Sequence, residues 1–268
     1  MTSYRPRRSL FIATAPRSGS WLLAEGLRGL AVAGCPEEYF RADLERYYSE
    51  QWGLPQSAPY QVFLDRVMLA GTTSNGVFAV KVHWFQLRYL LWQLRSLDGV
   101  GQVSDGELLE RYFGPVRMVY LERRDVARQA ISWLRAIRTD EWWLIAREPR
   151  TQPMLPGEYD FEGIKHLYYL LQDYRAWWRQ WFRDNEICPL ELVYEDVIAN
   201  YRASLLGILR HAGLSVPTEI PAPLLRRQAD EYSDLWLRAY WHSWTSLFGP
   251  AAACRQDDLI SSGSVPIP

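Results

Sequence analysis

The hydrophobic pattern of residues 10–34 changes from that of a strand to that of a helix across one short loop. Leu10–Ala13 form an apolar run, which is typical of a strand buried on both faces. From Trp21 to Leu30 apolar residues recur at helical spacing, and Gly34 can end the helix. The loop between them, Thr14–Ser20, is built of small residues with one proline and one arginine. The pattern predicts a buried strand, a tight loop and a helix.

The loop Arg17-Ser18-Gly19-Ser20 is a candidate anion site. The first backbone N–H groups of a helix have no intrahelical acceptor, and the helix dipole adds partial positive charge there. Gly19 allows the backbone to approach a ligand closely. Ser18 and Ser20 add hydroxyl donors, and Arg17 adds a fixed charge. The loop lacks the first glycine and the lysine of the Walker A pattern G-x-x-x-x-G-K-[ST], so it is not the common nucleotide loop.

Three further apolar runs, residues 77–82, 118–121 and 190–194, predict strands that are separated by helical patterns. Strands that alternate with helices favour a three-layer α/β/α fold, in which a central parallel sheet carries helices on both faces. Ligands of such sheets bind at the carboxyl ends of the strands. The chain is therefore predicted to be an α/β protein with a P-loop-like strand-loop-helix and a ligand site at that edge.

Length and composition limit the domain organisation and the partners. A chain of 268 residues suits one domain, expected over residues 1–248, and the polar, Pro-rich tail 249–268 is expected to be flexible. A net charge of −1 argues against binding to nucleic acid or a membrane surface. Three widely spaced cysteines, no visible signal peptide and no long apolar run indicate a cytoplasmic protein. The four histidines show no metal-ligand spacing, so we expect no metal site.

The helix predicted over Phe161–Phe182 carries an aromatic stripe that includes Tyr174, Trp177, Trp178 and Trp181. A stripe of this kind is typical of a core or of a dimer face. The helix has more large aromatic side chains than one face of a monomer of this size readily buries. The sequence therefore predicts a homodimer.

Polar side chains also follow the other three predicted strands. Lys81 stands at the end of the second strand, and His83 comes two residues later, so both should project from one face. Arg123 follows the third strand at the start of a helix that contains Ser132, which favours a second anion site. Tyr194 ends the fourth strand. These residues should meet at the carboxyl edge of the sheet.

Four islands of sequence, in order along residues 10–244, resemble the PAPS-dependent sulfotransferases (PAPS is 3′-phosphoadenosine 5′-phosphosulfate). The resemblance is strongest to the bacterial trehalose 2-sulfotransferase family. The islands are Arg17-Ser18-Gly19-Ser20 with Gly34-x-Pro36-x-Glu38-Tyr39-Phe40, Gly76-Val77-x-x-x-Lys81-x-x-Trp84, Arg123-x-Asp125-Val126-x-x-Gln129-Ala130-Ile131-Ser132, and Arg227-Gln228-Ala229-Asp230 with Ser233-Asp234-x-Trp236.

The resemblance implies that PAPS is the co-substrate, that no metal takes part and that the chain forms homodimers. It implies a 5′-phosphosulfate site at residues 17–20 and a 3′-phosphate site at Arg123 and Ser132. Tyr194 would lie near the adenine, and Arg227 would also reach the donor. The implied reaction is the in-line transfer of a sulfuryl group from PAPS to a hydroxyl of a small-molecule acceptor.

Such a transfer requires positioning, charge neutralisation and a base. Arg17 and Lys81 are the candidates for neutralising charge on the leaving phosphate. Two residues are candidates for the base. Glu38 matches the glutamate that serves as base in the trehalose enzymes, and its apolar neighbours Tyr39-Phe40 would raise its pKa toward a useful value. His83 forms a Lys-x-His pattern that resembles eukaryotic cytosolic sulfotransferases, in which the histidine is the base.

The acceptor and two other functions stay open at this point. Trp21, beside the expected sulfuryl position, departs from the family, in which a small hydroxyl residue usually follows the loop serine. A carbohydrate hydroxyl and a natural-product hydroxyl are therefore both candidates for the acceptor. A P-loop-like small-molecule kinase is an alternative, although the Walker lysine is missing. A non-catalytic nucleotide-binding dimer scaffold is another, although Arg17, Lys81 and Glu38 are all present.

Overall fold

The computed structural model describes residues 5–99, 103–142, 157–223 and 231–249, and four strands in these ranges form one parallel sheet. The order across the sheet is β2-β1-β3-β4. β1 lies between β2 and β3, and six of its seven residues are buried, as its apolar run predicts. The predicted α/β fold with a central parallel sheet is confirmed. The strands are β1 (Arg8–Thr14), β2 (Val77–His83), β3 (Val116–Glu122) and β4 (Leu190–Val193).

The described ranges also contain ten helices, which connect the strands and cover the sheet. In this part of the chain no helix combines the length and the apolar character that a membrane span requires. The helices are α1 (Ser20–Gly29), α2 (Ala42–Gln51), α3 (Tyr60–Gly71), α4 (Trp84–Asp98), α5 (Asp105–Phe113), α6 (Val126–Thr139), α7 (Phe161–Asp184), α8 (Tyr194–Ala199), α9 (Tyr201–His211) and α10 (Glu231–Phe248).

Alternate residues of β1 pack in two separate hydrophobic cores, one on each face of the sheet. Phe11 and Ala13 pack with side chains of α3, α4, α5 and α7. Leu10 and Ile12 point the other way and pack with side chains of α1 and α9. Burial of a leucine or phenylalanine contributes about 1.5–3 kcal/mol, so the period-two pattern of one central strand ties both helix layers to the sheet. The three-layer arrangement follows from this.

The aromatic stripe of α7 lies mainly in the core of the monomer. Trp178 is fully buried, and its indole Nε1 donates a hydrogen bond to the Thr14 carbonyl at 3.0 Å. Tyr174 and Trp181 are also buried, and Trp177 is half-buried between rings of α4 and α7. A single chain therefore covers most of the stripe. The stripe therefore does not by itself require a dimer, and the homodimer stays a prediction.

Two sequence-based boundaries are wrong. α1 ends at Gly29, five residues before the predicted end at Gly34. Gly34 has φ +77°, and a Cβ there would lie 2.4 Å from the backbone nitrogen of Ala79. Glycine is therefore needed at this position for a close approach to β2, and not as a helix cap. Tyr194 does not end β4 but begins α8, because the strand stops at Val193.

Candidate active site

The loop after β1 turns sharply into α1 with two residues in the left-handed backbone region. Arg17 has φ +62° and Gly19 has φ +84°, and Gly19 is the N-cap of α1. Gly19 has no side chain that could cap the helix, and α1 begins directly after the carboxyl end of β1, so the first N–H groups of the helix lie at that edge of the sheet. The predicted anion-site geometry is therefore present at the end of the central strand.

The two serines of the loop have different roles. Ser18 is fully buried, and its hydroxyl lies 2.5 Å from the Thr14 hydroxyl. Thr14 donates its single hydroxyl proton to the Leu121 carbonyl at 2.9 Å, so Ser18 is the donor in the pair with Thr14. The Ser18 hydroxyl therefore supports the loop, and only its backbone N–H is left for a ligand. Ser20 opens α1 and supplies the second hydroxyl.

Tyr194 packs directly against Gly19. A Cβ at Gly19 would lie 2.2 Å from Cδ2 of Tyr194, so the tyrosine ring occupies the space that any larger residue would fill. The same ring lies 5.0 Å from the guanidinium of Arg123, a distance that allows a cation–π contact. The ends of β1, β3 and β4 therefore meet at one place, as the parallel topology predicts.

The side chain of Arg17 lies with the residues expected to bind a 3′-phosphate. Its Nε donates to Ser132 Oγ at 3.0 Å, and another of its nitrogens donates to the Trp142 carbonyl. Arg123 Nη1 donates to the backbone carbonyl of Arg17 at 3.4 Å. Arg17, Arg123 and Ser132 therefore form one cluster, named here the arginine cluster. The motifs in the sequence had placed Arg17 at a different anion site from the other two.

Positive charges lie close together in the arginine cluster, where Arg123 is buried and Arg17 is half-buried. Burial lowers the pKa of Arg17 to about 10, and repulsion by Arg123 and by Arg135 of α6 adds to this shift. Burial also lowers the pKa of Arg123. The Nε of Arg123 makes no hydrogen bond among the described residues, and Glu195 Oε1 lies 3.7 Å away from it. Buried cations of this kind are stabilised by an anion.

A second cluster forms at the end of β2 around Lys81 and Glu38, and we call it the lysine–glutamate cluster. Lys81 is 1% exposed, and its Nζ lies 2.5 Å from Glu38 Oε1. The same ammonium lies 3.8 Å from the centre of the Trp21 ring. The backbone N–H of Lys81 donates to the Glu37 carbonyl at 3.0 Å, which holds the Glu38 segment against β2. Trp21 thus connects the start of α1 to this cluster.

The pKa of Glu38 is shifted in the direction opposite to the one predicted. Burial raises it, but His83, Lys81 and a hydrogen bond from Gln86 outweigh burial and lower the pKa to about 2. The apolar neighbours Tyr39 and Phe40 belong to the core on the opposite face of β2, so they do not dominate the surroundings of the carboxylate. Burial lowers the pKa of Lys81, and Glu38 opposes that shift.

His83 lies on the same face of β2 as Lys81, as predicted. Lys81 is opposite Ile12 and His83 is opposite Thr14, two positions further along β1. Burial lowers the pKa of His83 to about 4, and the neighbouring cations add to this shift, while Glu38 opposes it. The imidazole is therefore neutral at neutral pH, and its burial makes it a weaker base than a solvated histidine.

Two glutamines form hydrogen bonds to residues of the site, and neither was predicted from the sequence as a functional residue. Gln129 Nε2 donates to the Pro16 carbonyl at 2.7 Å, which ties α6 to the anion loop. Gln86 Nε2 donates to Glu38 Oε2 at 2.9 Å. Neutral amides in helices have no distinctive sequence signal, although Gln86 occupies the N3 position of α4, from which side chains commonly reach back over the helix start. Arg227 lies outside the described residues.

Comparison with known proteins is consistent with this geometry. The model of the Stf0 sulphotransferase family matches residues 9–243. Trehalose 2-sulfotransferase of Mycolicibacterium smegmatis is 29% identical over 253 residues, covering 85% of this chain and 92% of the relative. Trehalose 2-sulfotransferase of Mycobacterium tuberculosis is 29% identical over 258 residues, covering 88% and 95%. The sulfotransferase domain of the Synechococcus PCC 7002 olefin synthase is a distant structural relative, with 16% identity, a TM-score of 0.45 and coverage of 100% and 98%.

The family match covers the strand-end loop, both clusters and nearly all of the described residues. The expected family is confirmed, and with it the expectation that the chain is a transferase. This chain belongs to the Stf0 sulfotransferase family.

Proposed function

We propose that this sulfotransferase transfers the sulfuryl group of PAPS to a hydroxyl of a small-molecule acceptor, either a carbohydrate or a natural product. One observation carries the proposal. The start of α1 is flanked by the arginine cluster, in which positive charges lie close together, and by the lysine–glutamate cluster, which pairs a cation with a carboxylate. A donor with two separated anionic groups and an acceptor with a weakly acidic hydroxyl require these two environments.

The residues at the sheet edge fit the two anionic groups of the donor. The N–H groups at the start of α1 would bind the 5′-phosphosulfate, since no side chain caps them. Arg123 and Ser132 would bind the 3′-phosphate, because Arg123 has a buried Nε without a hydrogen-bond partner in the described ranges. Arg17 would lie between the two groups. Tyr194 packs on Gly19 beside Arg123, a position that suits contact with the adenosine part.

The donor supplies an SO₃ group on a phosphate leaving group. Lys81 would neutralise the charge that grows on that phosphate. Glu38 would orient the acceptor hydroxyl and accept its proton, and the in-line arrangement of acceptor and donor supplies most of the catalysis. Without the donor, Lys81 is paired with Glu38, and the carboxylate is a weak base. Transfer of the ammonium to the donor would remove part of this stabilisation and raise the basicity of Glu38. His83 remains the second candidate for the base.

The test compares ligands and then acceptors. Thermal shift with PAP, the desulfated product, should show stabilisation at low millimolar concentrations or below, whereas ATP with Mg²⁺ should show little. Transfer of label from [³⁵S]PAPS should then be measured against acceptor hydroxyls, beginning with trehalose, which the relatives' names specify. Stabilisation by ATP with Mg²⁺ alone would favour the kinase. Binding of PAP without transfer to any acceptor would favour the non-catalytic scaffold.

A homodimer is part of the proposal. Large apolar side chains remain exposed on α4, where Phe85 is 56% exposed and Trp92 is 61% exposed. Exposed aromatic residues of this size are typical of protein interfaces. Light scattering should give a mass near twice the 31.3 kDa of one chain. A mass of one chain across micromolar concentrations would exclude the dimer.

A further inference from the structure

Gln86 connects the start of α4 to the Glu38 carboxylate through two hydrogen bonds. Its side chain is buried, with 7% exposure of the residue. The backbone N–H of His83 donates to Gln86 Oε1 at 2.9 Å. Gln86 Nε2 donates to Glu38 Oε2, also at 2.9 Å. The glutamine therefore lies between the helix cap and the candidate base.

The orientation of this amide is determined by the backbone. An N–H group can only donate, so the atom of Gln86 that faces His83 must be the oxygen. The other end of the amide is then NH₂, and it can only donate to Glu38. The helix cap therefore selects a hydrogen-bond donor for the carboxylate, and the buried amide cannot rotate without losing both bonds.

The two oxygens of Glu38 have different partners. Oε1 is bound by the ammonium of Lys81, and Oε2 is bound by Gln86, with Arg41 Nη1 at 3.9 Å. Lys81 is the cation that the proposed reaction moves toward the donor. The bond from Gln86 is independent of that movement, since Gln86 is neutral and anchored to β2 and α4. It would keep one oxygen fixed while the other becomes available to the acceptor hydroxyl.

We propose that Gln86 is a positioning residue, which holds Glu38 in its reactive orientation and keeps it ionised through the amide donor. The inference rests on the proposed function, because it requires Glu38 to be the base. The charged and titratable groups that also face Glu38 are Lys81 and His83 of β2, Arg41 of the preceding loop, and Asp43 and Tyr48 of α2. Gln86 does not titrate, so its replacement changes the hydrogen-bond donor without removing a charge from the surroundings of Glu38.

The variant Gln86→Glu distinguishes a positioning role of Gln86 from a purely structural one. A glutamate at N3 still accepts the His83 N–H and is favourable at a helix start, so the fold and the cap are kept. It replaces the NH₂ donor by a second carboxylate oxygen facing Glu38. Two carboxylates in contact share a proton, and their apparent pKa rises. We expect kcat at pH 7 to fall at least about tenfold, the acidic limb of the rate profile to move up by about one pH unit, and the Kd for PAP to stay unchanged.

Two further variants complete the experiment. Gln86→Met removes both bonds and should lower kcat as well as the melting temperature. Glu107→Gln makes the reverse exchange at N3 of α5, where Glu107 is exposed and accepts from the Ser104 N–H, and it should leave activity unchanged. Wild-type kcat and an unshifted acidic limb in Gln86→Glu, with only Gln86→Met destabilised, would reduce Gln86 to a helix cap and overturn the inference. Full activity of Glu38→Gln would also overturn it, by removing the base. Absence of PAP binding by the wild type would instead reject the proposed function, and the inference with it.

Discussion

The arginine cluster and the lysine–glutamate cluster lie at the same sheet edge, but the groups that surround their cations differ. Arg17 is half-buried beside the buried Arg123, and the two donate hydrogen bonds to backbone carbonyls and to the Ser132 hydroxyl, while Glu195 Oε1 lies 3.7 Å from Arg123 Nε. Lys81 is buried more completely but faces a carboxylate at 2.5 Å. Buried cations that lie close together favour binding of an anion, whereas in a buried ion pair the base becomes available when the cation is drawn toward another anion. We therefore propose that the donor binds at the arginine cluster and that the proton is transferred at the lysine–glutamate cluster.

The largest expected effect comes from removing the base in the lysine–glutamate cluster. Glu38→Gln should lower kcat by at least about 10²-fold, because a positioned base contributes about 10²–10⁴-fold to such a reaction. Calorimetry should show that the affinity for PAP is kept, since the arginine cluster is intact. His83→Asn should reduce kcat less. The opposite ranking of the two variants, with the acidic limb of the rate profile lost only without the histidine, would make His83 the base.

The next effect is on donor binding and acts through the arginine cluster. Arg123→Ala should weaken PAP binding by about 1.5–3 kcal/mol, the range for a charge-assisted contact, and Arg17→Ala should do the same. Arg124→Ala is a matched control, because Arg124 is exposed and paired with Asp196, and it should change the Kd by less than about twofold. Equal and small effects of all three variants in calorimetry would remove the PAP assignment.

A smaller effect is expected at the contact between Gly19 and Tyr194. Gly19→Ala adds a Cβ at φ +84° and 2.2 Å from the tyrosine ring, so the free energy of unfolding should fall by more than about 1 kcal/mol. Gly53→Ala is the control, since Gly53 has φ +64° with nothing within 4 Å of a Cβ and carries the backbone strain alone. Chemical denaturation should show a greater loss for Gly19→Ala, which Tyr194→Ala partly restores. Equal losses in the two glycine variants would exclude the steric contact.

The last effect concerns stability below neutral pH. The pKa of His83 is about 4 in the folded protein, against 6.5 as its ordinary value. At pH values between these two pKa values, His83 is protonated in the unfolded chain but not in the folded protein. Stability is therefore lost as pH falls from about 6.5 to 4, with a slope of up to about 1.4 kcal/mol per pH unit. Glu38, with a pKa of about 2 against 4.5, acts in the same direction between pH 4.5 and 2.

Urea denaturation of His83→Asn tests this assignment. The variant should lose the slope between pH 6.5 and 4, and the slope below pH 4 should become smaller, because His83 contributes to the lowered pKa of Glu38. An unchanged slope in the upper range would mean that His83 is solvated and that the lysine–glutamate cluster is more open than the structure shows.

The local sequence pattern was sufficient to predict those elements whose conformation depends mainly on residues close to them in sequence. The apolar run Leu10–Ala13, the glycine of the loop and the helical spacing after it predicted the strand, the turn and the helix. Parallel topology then brought Arg123 and Tyr194 to the same edge, because carboxyl ends of parallel strands coincide. The end of α1 was misplaced, since Gly34 is required by contact with Ala79 of a distant strand.

The fold class, the family and the residue types of the site could be predicted from the sequence, because they follow from periodicity, turn chemistry and ordered motifs. The contacts that the site residues make with one another, and the directions of their pKa shifts, could be read only from the tertiary structure. Arg17 contacts Ser132, which is 115 positions away, and Glu38, in the connection between β1 and β2, contacts Lys81 of β2 and Gln86 of α4. The direction of the Glu38 pKa shift depends on those cations and donors, and not on its apolar neighbours in sequence. Charge interactions act through space, so only the packed chain could assign them.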